Sequence, residues 1–265
     1  MLNTFPVFFK YHSGKSVPPP KYEILNGVFE IIINAFYSNL MKCIYNNFMK
    51  KIFILGASSK LAKKFILSNK TKKNLSFFFT YNKNDIKDLS NVYPDAKSCK
   101  IDLTKKIDLE KVSKKVLKFR PDIIINYSSI ITKRQSIKKF NNSYLLKIFN
   151  LNFFSQFILY SKICQKLNRS NQRSVIINIS SKVILNGGYK MYEYSSSKAA
   201  TANLIKSLSR EYQNLRFINL IIPNVGNKTK KNQIDYNKYV DCLSKIIKVN
   251  DKFYRSKNQK IDYII

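Results

Sequence analysis

The 265-residue sequence predicts an α/β protein, a doubly wound parallel sheet of about seven strands in a single domain with an N-terminal extension. Three observations carry this expectation. From residue 51 onward, short apolar runs alternate with amphipathic stretches almost without exception. The runs are nearly continuous in Ile, Val, Leu and Phe, as strands covered on both faces require. The first run ends in "LGASSKLA" (55–62), with a glycine where a strand must turn sharply into a helix.

Each element follows in order. "KIFIL" (51–55) reads as the first strand and "SSKLAKKFILSN" (58–69) as a helix. "LSFFFTY" (75–81) is the second strand, followed by polar loop, and "AKSCKIDL" (96–103) the third. "DLEKVSKKVLKF" (108–119) has helical spacing, and "DIIINYS" (122–128) is a fourth strand, fully apolar in its middle. The long apolar stretch at 143–167 predicts a helix largely buried against the sheet. "SVIINISS" (174–181), a helix over 193–213, and "RFINLIIP" (216–223) come next, the last strand stopping at Pro223. A helix over 236–248 and a short strand over 259–265 close the chain. No internal repeat is visible.

Residues 1–48 do not share this pattern. They hold a Pro-rich connector, "HSGKSVPPPKYE", and an apolar segment from Ile24 to Met41. Asn26, Glu30, Asn34 and Asn39 interrupt that segment, which makes it a poor membrane span. An amphipathic surface helix is one reading and a dispensable leader before "MKKIFILGASS" is the other. "SGKS" (13–16) is no P-loop, because Phe9 stands where that motif needs glycine. The expected domain is therefore 49–265.

The formal net charge is +33. Its lysines are spread along the whole chain, whereas a nucleic-acid patch is concentrated and Arg-rich, so biased composition is the preferred reading over nucleic acid. Four cysteines (Cys43, Cys99, Cys164, Cys242) form no Cys-x-x-Cys pair, and His12 is the one histidine. This speaks against a disulfide scaffold and a zinc site, and for reduced thiols in a cytoplasmic protein.

Two stretches carry chemistry. In the loop after the first strand, Gly56 permits the turn, and small Ala57, Ser58 and Ser59 let backbone approach a pyrophosphate at a helix N-terminus. Lys60 and Ala62 stand where further glycines are usual. In "YEYSSSKAA" (192–200), Tyr194 and Lys198 are four apart and share a helix face. An ammonium near a phenol lowers its pKa, so the tyrosine can give a proton to a carbonyl oxygen or take one from an alcohol. Ser181 ends the preceding strand and is placed to polarise that carbonyl.

Taken together these motifs resemble the short-chain dehydrogenase/reductase family, single-domain branch. "LGASSKLA" is similar to its Thr-Gly-x-x-x-Gly-x-Gly loop, "IDLT" (101–104) to its Asp-bearing end of strand three, and "INYSS" (125–129) stands where it has Asn-Asn-Ala-Gly. "NFFSQF" (152–157), "INISS" (177–181), "YSSSK" (194–198) and "INLIIPN" (218–224) complete the series in family order over about residues 50–265. The resemblance implies a Rossmann-like fold and a catalytic set of Asn152, Ser181, Tyr194 and Lys198. Tyr194 would be the acid/base, Ser181 would orient the carbonyl, Lys198 would also bind the nicotinamide ribose, and Asn152 would hold a relay water, with Asn150 as a rival assignment. It implies a cofactor-binding set of Gly56, Ser58, Ser59, Lys60, Leu61, Asp102, Leu103, Asn126, Lys198 and Pro223, and no metal.

Departures qualify what is carried over. Tyr127, Ser128 and Ser129 replace a small Asn-Ala-Gly triplet and are expected to crowd the cleft. Asn224 replaces a glycine, and the substrate lid after Pro223 is brief. "TYNKN" (80–84) has Lys83 and no acid until Asp85, so NADP(H) is favoured over NAD(H). The expected activity is reduction of a ketone, or oxidation of the alcohol. The substrate would be a small molecule, or a group on an acidic carrier protein drawn to the basic surface, and a homo-oligomer is compatible with this. A reductase-like binding or scaffold protein without turnover, and a nucleotide-sugar-modifying enzyme of the same superfamily, are the alternatives.

Overall fold

Alternate residues of each central strand face opposite ways, and here both ways lead into apolar core. Ile52 and Ile54 enter one cluster while Phe53 and Leu55 enter the other. Ile123 and Ile125 part from Ile124, and Ile218 and Leu220 from Phe217, in the same manner. This is why the runs read as continuously apolar rather than alternating. The computed structural model describes residues 49–72, 74–170, 173–225, 233–249 and 261–265. The expected extension, residues 1–48 with His12 and Cys43, lies outside them.

The strands are β1 (Lys50–Leu55), β2 (Leu75–Tyr81), β3 (Lys97–Lys100), β4 (Ile123–Asn126), β5 (Val175–Ser181) and β6 (Arg216–Ile222). Two short strands follow, β7 (Asn224–Val225) and β8 (Gln233–Ile234), then β9 (Asp262–Ile264). A seven-stranded sheet runs in the order β3-β2-β1-β4-β5-β6-β9, and every pairing in it is parallel. The order reverses at β1, between β2 on one side and β4 on the other. That reversal opens a crevice at the carboxyl ends of the strands.

Helices cover both faces. α1 (Lys60–Ser68), α2 (Lys87–Val92) and α8 (Tyr236–Val249) lie on one, burying Phe65, Ile66, Leu89, Tyr239 and Leu243. α3 (Lys106–Phe119), α5 (Ser155–Arg169) and α7 (Tyr192–Glu211) lie on the other, burying Val112, Val116, Ile163, Cys164 and Ile205. α4 (Asn142–Phe149) runs into α5 through a π-helical segment at Asn150–Phe154, and a short α6 (Val183–Asn186) follows β5.

Three expectations need correction. The polar stretch after β2 contains α2, a helix anchored by one buried side chain, Leu89. The long helix runs on through a π segment that was not expected, and one face of it is not buried: Leu146, Phe154, Phe157 and Ile158 are exposed. β7 and β8 pair with each other and were not anticipated. The expected brief lid falls partly on residues 226–232, outside the described residues.

Register is pinned by a buried polar row. Asn126 on β4 aligns with Asn178 on β5, Asn178 with Asn219 on β6, and Asn219 with Asp262 on β9. Asn178 donates to the Asn219 carbonyl at 3.0 Å, and Asn219 donates to Asp262 at 3.1 Å and to the Ala202 carbonyl at 3.0 Å. Lys206 closes the row on Asp262 at 2.7 Å. A one-residue slip of any strand would bury these groups without partners.

Candidate active site

Gly56 follows β1 with φ +75°, a region that favours glycine. A Cβ there would stand 3.1 Å from Ser128 N and 3.2 Å from Ser128 Oγ, so the loops after β1 and β4 meet only because the side chain is absent. Thr80 fixes the loop from β2: Gly56 N–H donates to its hydroxyl at 3.2 Å and Ala57 N–H to its carbonyl at 2.8 Å. Ser59 then caps α1, its Oγ accepting from Ala62 N–H at 3.2 Å.

A cleft of about 250 Å³ opens beside this loop, lined by Gly56, Ser58, Ser59, Asn82, Leu103 and Ser128 among others. Ser128 Oγ is buried and makes no hydrogen bond. A tight glycine turn, a helix N-terminus and an unserved hydroxyl at a sheet's switch point suit a dinucleotide's phosphate and ribose groups. Asp102, just beyond β3, accepts from Thr104 N–H at 3.0 Å and from its hydroxyl at 2.7 Å. Partial burial pushes the Asp102 carboxyl up, but Thr104, Lys105 and Asn82 outweigh it and hold the group below its ordinary range. Lys60 is exposed and sits over the Tyr236 ring at 5.3 Å, and Leu61 packs partly buried against the core. Pro223 is half-buried after β6.

Tyr127 does not fill the cleft with a free ring. Its hydroxyl accepts from Tyr239 on α8 at 2.7 Å, and both rings belong to the core. Asn126 is buried, accepting from Ser128 N–H at 2.9 Å and donating to Tyr160 at 3.3 Å.

Deeper along the same edge, α7 presents Tyr194 and Lys198, both buried. Burial pushes the Tyr194 phenol up, while the hydroxyls of Ser181 and Ser129 pull it down, with a net rise. Lys198 Nζ donates to the Ile179 carbonyl at 2.7 Å, and burial pushes it down to about 8. Asn152 lies in the π segment, fully buried, whereas its rival Asn150 is exposed. Its Oδ1 accepts from Ile130 N–H at 2.8 Å, and its Nδ2 donates to the Ile130 carbonyl and to Ser197 Oγ, each at 3.0 Å. The Asn152 backbone carbonyl accepts from the Thr201 hydroxyl at 2.6 Å.

The fold thus brings Ser181, Tyr194 and Lys198 to one strand edge, and the Gly56 loop, Asp102, Leu103 and Asn126 to the neighbouring crevice. Sequence reasoning gave Ser129 no part beyond crowding the cleft, and passed over Ser197 and Thr201. Ser129 was visible as a polar residue in a glycine position, while Ser197 and Thr201 were visible only as polar residues inside a helix.

The chain is similar to known proteins along most of its length. It is 27% identical over 139 residues to 2-dehydro-3-deoxy-D-gluconate 5-dehydrogenase of Dickeya dadantii (strain 3937), covering 51% of this chain and 54% of that protein. The match therefore spans about half the length of this curated relative. Among solved structures, a short-chain dehydrogenase from Sphingobium yanoikuyae in complex with NADPH superposes with a TM-score of 0.67 at 16% identity, covering 81% of this chain and 87% of that one. A 4-hydroxyisoleucine dehydrogenase complexed with NADH gives 0.69 at 20% identity, covering 82% and 96%. Sequence identity this low speaks for the fold alone, but the family model described as short chain dehydrogenase matches residues 50–238, and the chain belongs to the short-chain dehydrogenase family.

Proposed function

We propose that the protein is an NAD(P)-dependent oxidoreductase that interconverts a ketone and an alcohol, with Tyr194 moving the proton. The observation that carries this reading is the meeting of the Tyr194 and Ser181 hydroxyls beside buried Lys198 at the carboxyl end of β5. A bound nicotinamide dinucleotide supplies or takes the hydride. Gly56, Ser58, Ser59 and Ser128 would hold its phosphate and ribose groups, and Lys198 the second ribose. Ser181 donates to the substrate oxygen and polarises it. Tyr194, a phenol that burial holds protonated well into the alkaline range, gives that oxygen a proton in reduction. Asn152 holds the loop after β4 at the site rather than serving solvent, since its side-chain groups are already bonded within the protein.

NADP(H) is favoured over NAD(H), because the end of β2 offers Asn82, Lys83 and Asn84 and no acid. Structural neighbours are described with either NADPH or NADH. The substrate is a small carbonyl compound; the similar proteins are named for 2-dehydro-3-deoxy-D-gluconate and 4-hydroxyisoleucine. A carrier-bound carbonyl on an acidic protein would also be drawn by the +33 charge. Cytoplasmic location accords with the free thiols of Cys99, Cys164 and Cys242. No helix among the described residues is long and apolar enough to cross a membrane. Residues 1–48 are read as dispensable: a chain starting at Met49 should give the same circular-dichroism spectrum and melting curve per residue, and loss of folding would refute this.

The direct test of the main reading is a thermal-shift comparison of NADPH, NADH and no ligand. Binding to the folded state raises the melting temperature by mass action. A melting temperature indifferent to both cofactors would remove the oxidoreductase reading.

A further inference from the structure

We propose that the carbonyl substrate is an anion, and that Arg134 and Lys190 take its carboxylate or phosphate group at the mouth of the site. The inference rests on the oxidoreductase reading and names the class of its substrate.

Two loops build that mouth. Residues 127–141 follow the carboxyl end of β4, with Ile130 N–H and carbonyl bonded by Asn152 at 2.8 and 3.0 Å. Residues 182–191 start directly after Ser181 and stop three positions short of Tyr194. The loops are joined by one backbone bond, in which Gln135 N–H donates to the Lys190 carbonyl at 3.0 Å. Exposed Arg134 adjoins that bond on the first loop, and half-buried Lys190 carries it on the second. The joint thus sets a guanidinium-bearing and an ammonium-bearing residue on facing loops. Lys190 has φ +57°, a left-handed conformation that a side chain disfavours. Strain of this kind gathers at ligand clamps. The turn that presents Lys190 is tight: Met191 N–H donates to the Gly188 carbonyl at 2.9 Å, and a Cβ at Gly188 would stand 2.9 Å from Met191 Cβ.

Charge around the joint has one sign. The loops carry Lys133, Arg134, Lys138, Lys139, Lys182 and Lys190, and no residue from Ile123 to Tyr192 is Asp or Glu. Elsewhere on the surface lysines meet carboxylates, Lys63 with Asp88 at 2.8 Å and Lys206 with Asp262 at 2.7 Å. Among the described residues the six loop cations have no ion-pair partner. Glu193, the first carboxylate beyond the loops, is buried and accepts from Gln135 Nε2 at 3.5 Å. Biased composition accounts for lysines everywhere, but not for the absence of carboxylates from the two loops that substrate must pass. Positive charge left unneutralised there raises the local concentration of anions. An arginine beside an ammonium suits a carboxylate or phosphate, the first by its planar fork and the second as a point charge.

The test measures binding, with the oxidised cofactor in place so that no ketone is consumed. Isothermal titration on the full-length protein loaded with NADP+ or NAD+, whichever binds, compares matched anionic and neutral ketones. The pairs are phenylglyoxylate and pyruvate, each with its methyl ester, and dihydroxyacetone phosphate with dihydroxyacetone. In at least one pair the anion should bind about tenfold more tightly than its neutral partner, with added salt closing the gap. Which pair shows it tells carboxylate from phosphate. For that anion, Arg134→Gln and Lys190→Gln should each lose up to about fivefold in affinity and the double variant about tenfold, with the neutral partner unaffected. Lys166→Gln with Arg169→Gln is the control. It removes equal charge from the end of α5, which leads into the amino end of β5 on the opposite edge of the sheet, and should change little. No preference for the anion in any pair, or equal losses in the two double variants, overturns the proposal. Failure to bind any nicotinamide dinucleotide would instead remove the oxidoreductase reading, so the two failures are told apart.

Discussion

Lys198 Nζ donates to the backbone carbonyl of Ile179 at 2.7 Å, nineteen residues earlier on the strand that α7 packs against. This bond fixes the lysine at the edge of β5, but it does not offset the cost of burying an ammonium. Burial pushes the folded-state pKa down from 10.5 to about 8. The folded state therefore binds fewer protons than the unfolded state between those values, and stability must rise with pH across that window. The lysine's charge costs most below pH 8, where both states are protonated. Relative to Lys198→Met, which cannot titrate, the parent protein should gain on the order of 2–3 kcal/mol between pH 7 and pH 10. Urea unfolding of both proteins at the two pH values measures this. A difference independent of pH would mean that water or a relaxed side chain hydrates the ammonium. The same variant should lose turnover and bind cofactor more weakly.

Gly56 and Gly187 provide an internal comparison. Both have positive φ, +75° and +71°, so alanine at either is strained by about 1–2 kcal/mol. A Cβ at Gly187 meets nothing within 4 Å, whereas one at Gly56 meets the Ser128 and Tyr127 backbone at 3.1–3.2 Å. Gly56→Ala should therefore cost more stability than Gly187→Ala, and it alone should weaken cofactor binding by spreading the loops after β1 and β4. Melting curves and NADPH titrations of both variants are the measurement. Equal binding by the two would place the dinucleotide away from Gly56.

The sheet was legible because its signal is local. Strands such as Ile123–Asn126 and Arg216–Ile222 announce themselves by apolar runs that can be satisfied only with both faces covered. α2 was missed because Lys87–Val92 buries one side chain, and one leucine sets no period. The exposed face of Leu146, Phe154, Phe157 and Ile158 was misread because hydrophobicity alone does not say which side of a helix meets the sheet. The Asn126–Asn178–Asn219–Asp262 row could not be read at all. Each residue is unremarked in its own strand, and the row exists only once the register aligns them. In the site, Tyr194, Lys198 and Ser181 were readable from spacing and from family resemblance. The carbonyl of Ile179 as acceptor for Lys198 was not, because a backbone oxygen has no sequence signature. Ser129 stood in plain sight as a departure, but that its hydroxyl is buried without a partner depends on how the loop after β4 folds back.

Cofactor choice can be tested at Lys83. The residue is exposed just beyond β2, between Asn82 and Asn84 of the cleft lining. Lys60, at the start of α1, lies over Tyr236 at 5.3 Å and shares its charge with that ring. An ammonium at Lys83 would attract the extra phosphate of NADPH, at an exposed site where such a contact is worth about 1 kcal/mol or less. Lys83→Glu should narrow the preference for NADPH over NADH by up to about fivefold, with added salt reducing the effect. Isothermal titration with both cofactors reads it. A ratio untouched by the substitution would move the source of discrimination to Asp102, Asn82 and Asn84.

Tyr194→Phe removes one oxygen and leaves the ring to pack on α7. The Ser181 hydroxyl then loses its phenol neighbour, which costs about 1 kcal/mol of stability. The cofactor crevice around Gly56 is formed by other residues, so cofactor binding should persist. Turnover should not: a positioned proton donor contributes roughly a hundred- to ten-thousand-fold in rate. Because burial raises the phenol above its usual value, the parent enzyme should reduce ketones at a rate flat through neutral pH and falling only in the alkaline range. Alcohol oxidation, which needs the phenolate, should rise over that same range. Both pH limbs should vanish in Tyr194→Phe, leaving a slow rate without the tyrosine's titration. Steady-state rates from pH 6 to 11 on both proteins measure this with any ketone that the parent protein turns over. If Tyr194→Phe keeps near-normal turnover with the same pH profile, the Tyr194–Lys198 pair is a helix face and the proton comes from elsewhere.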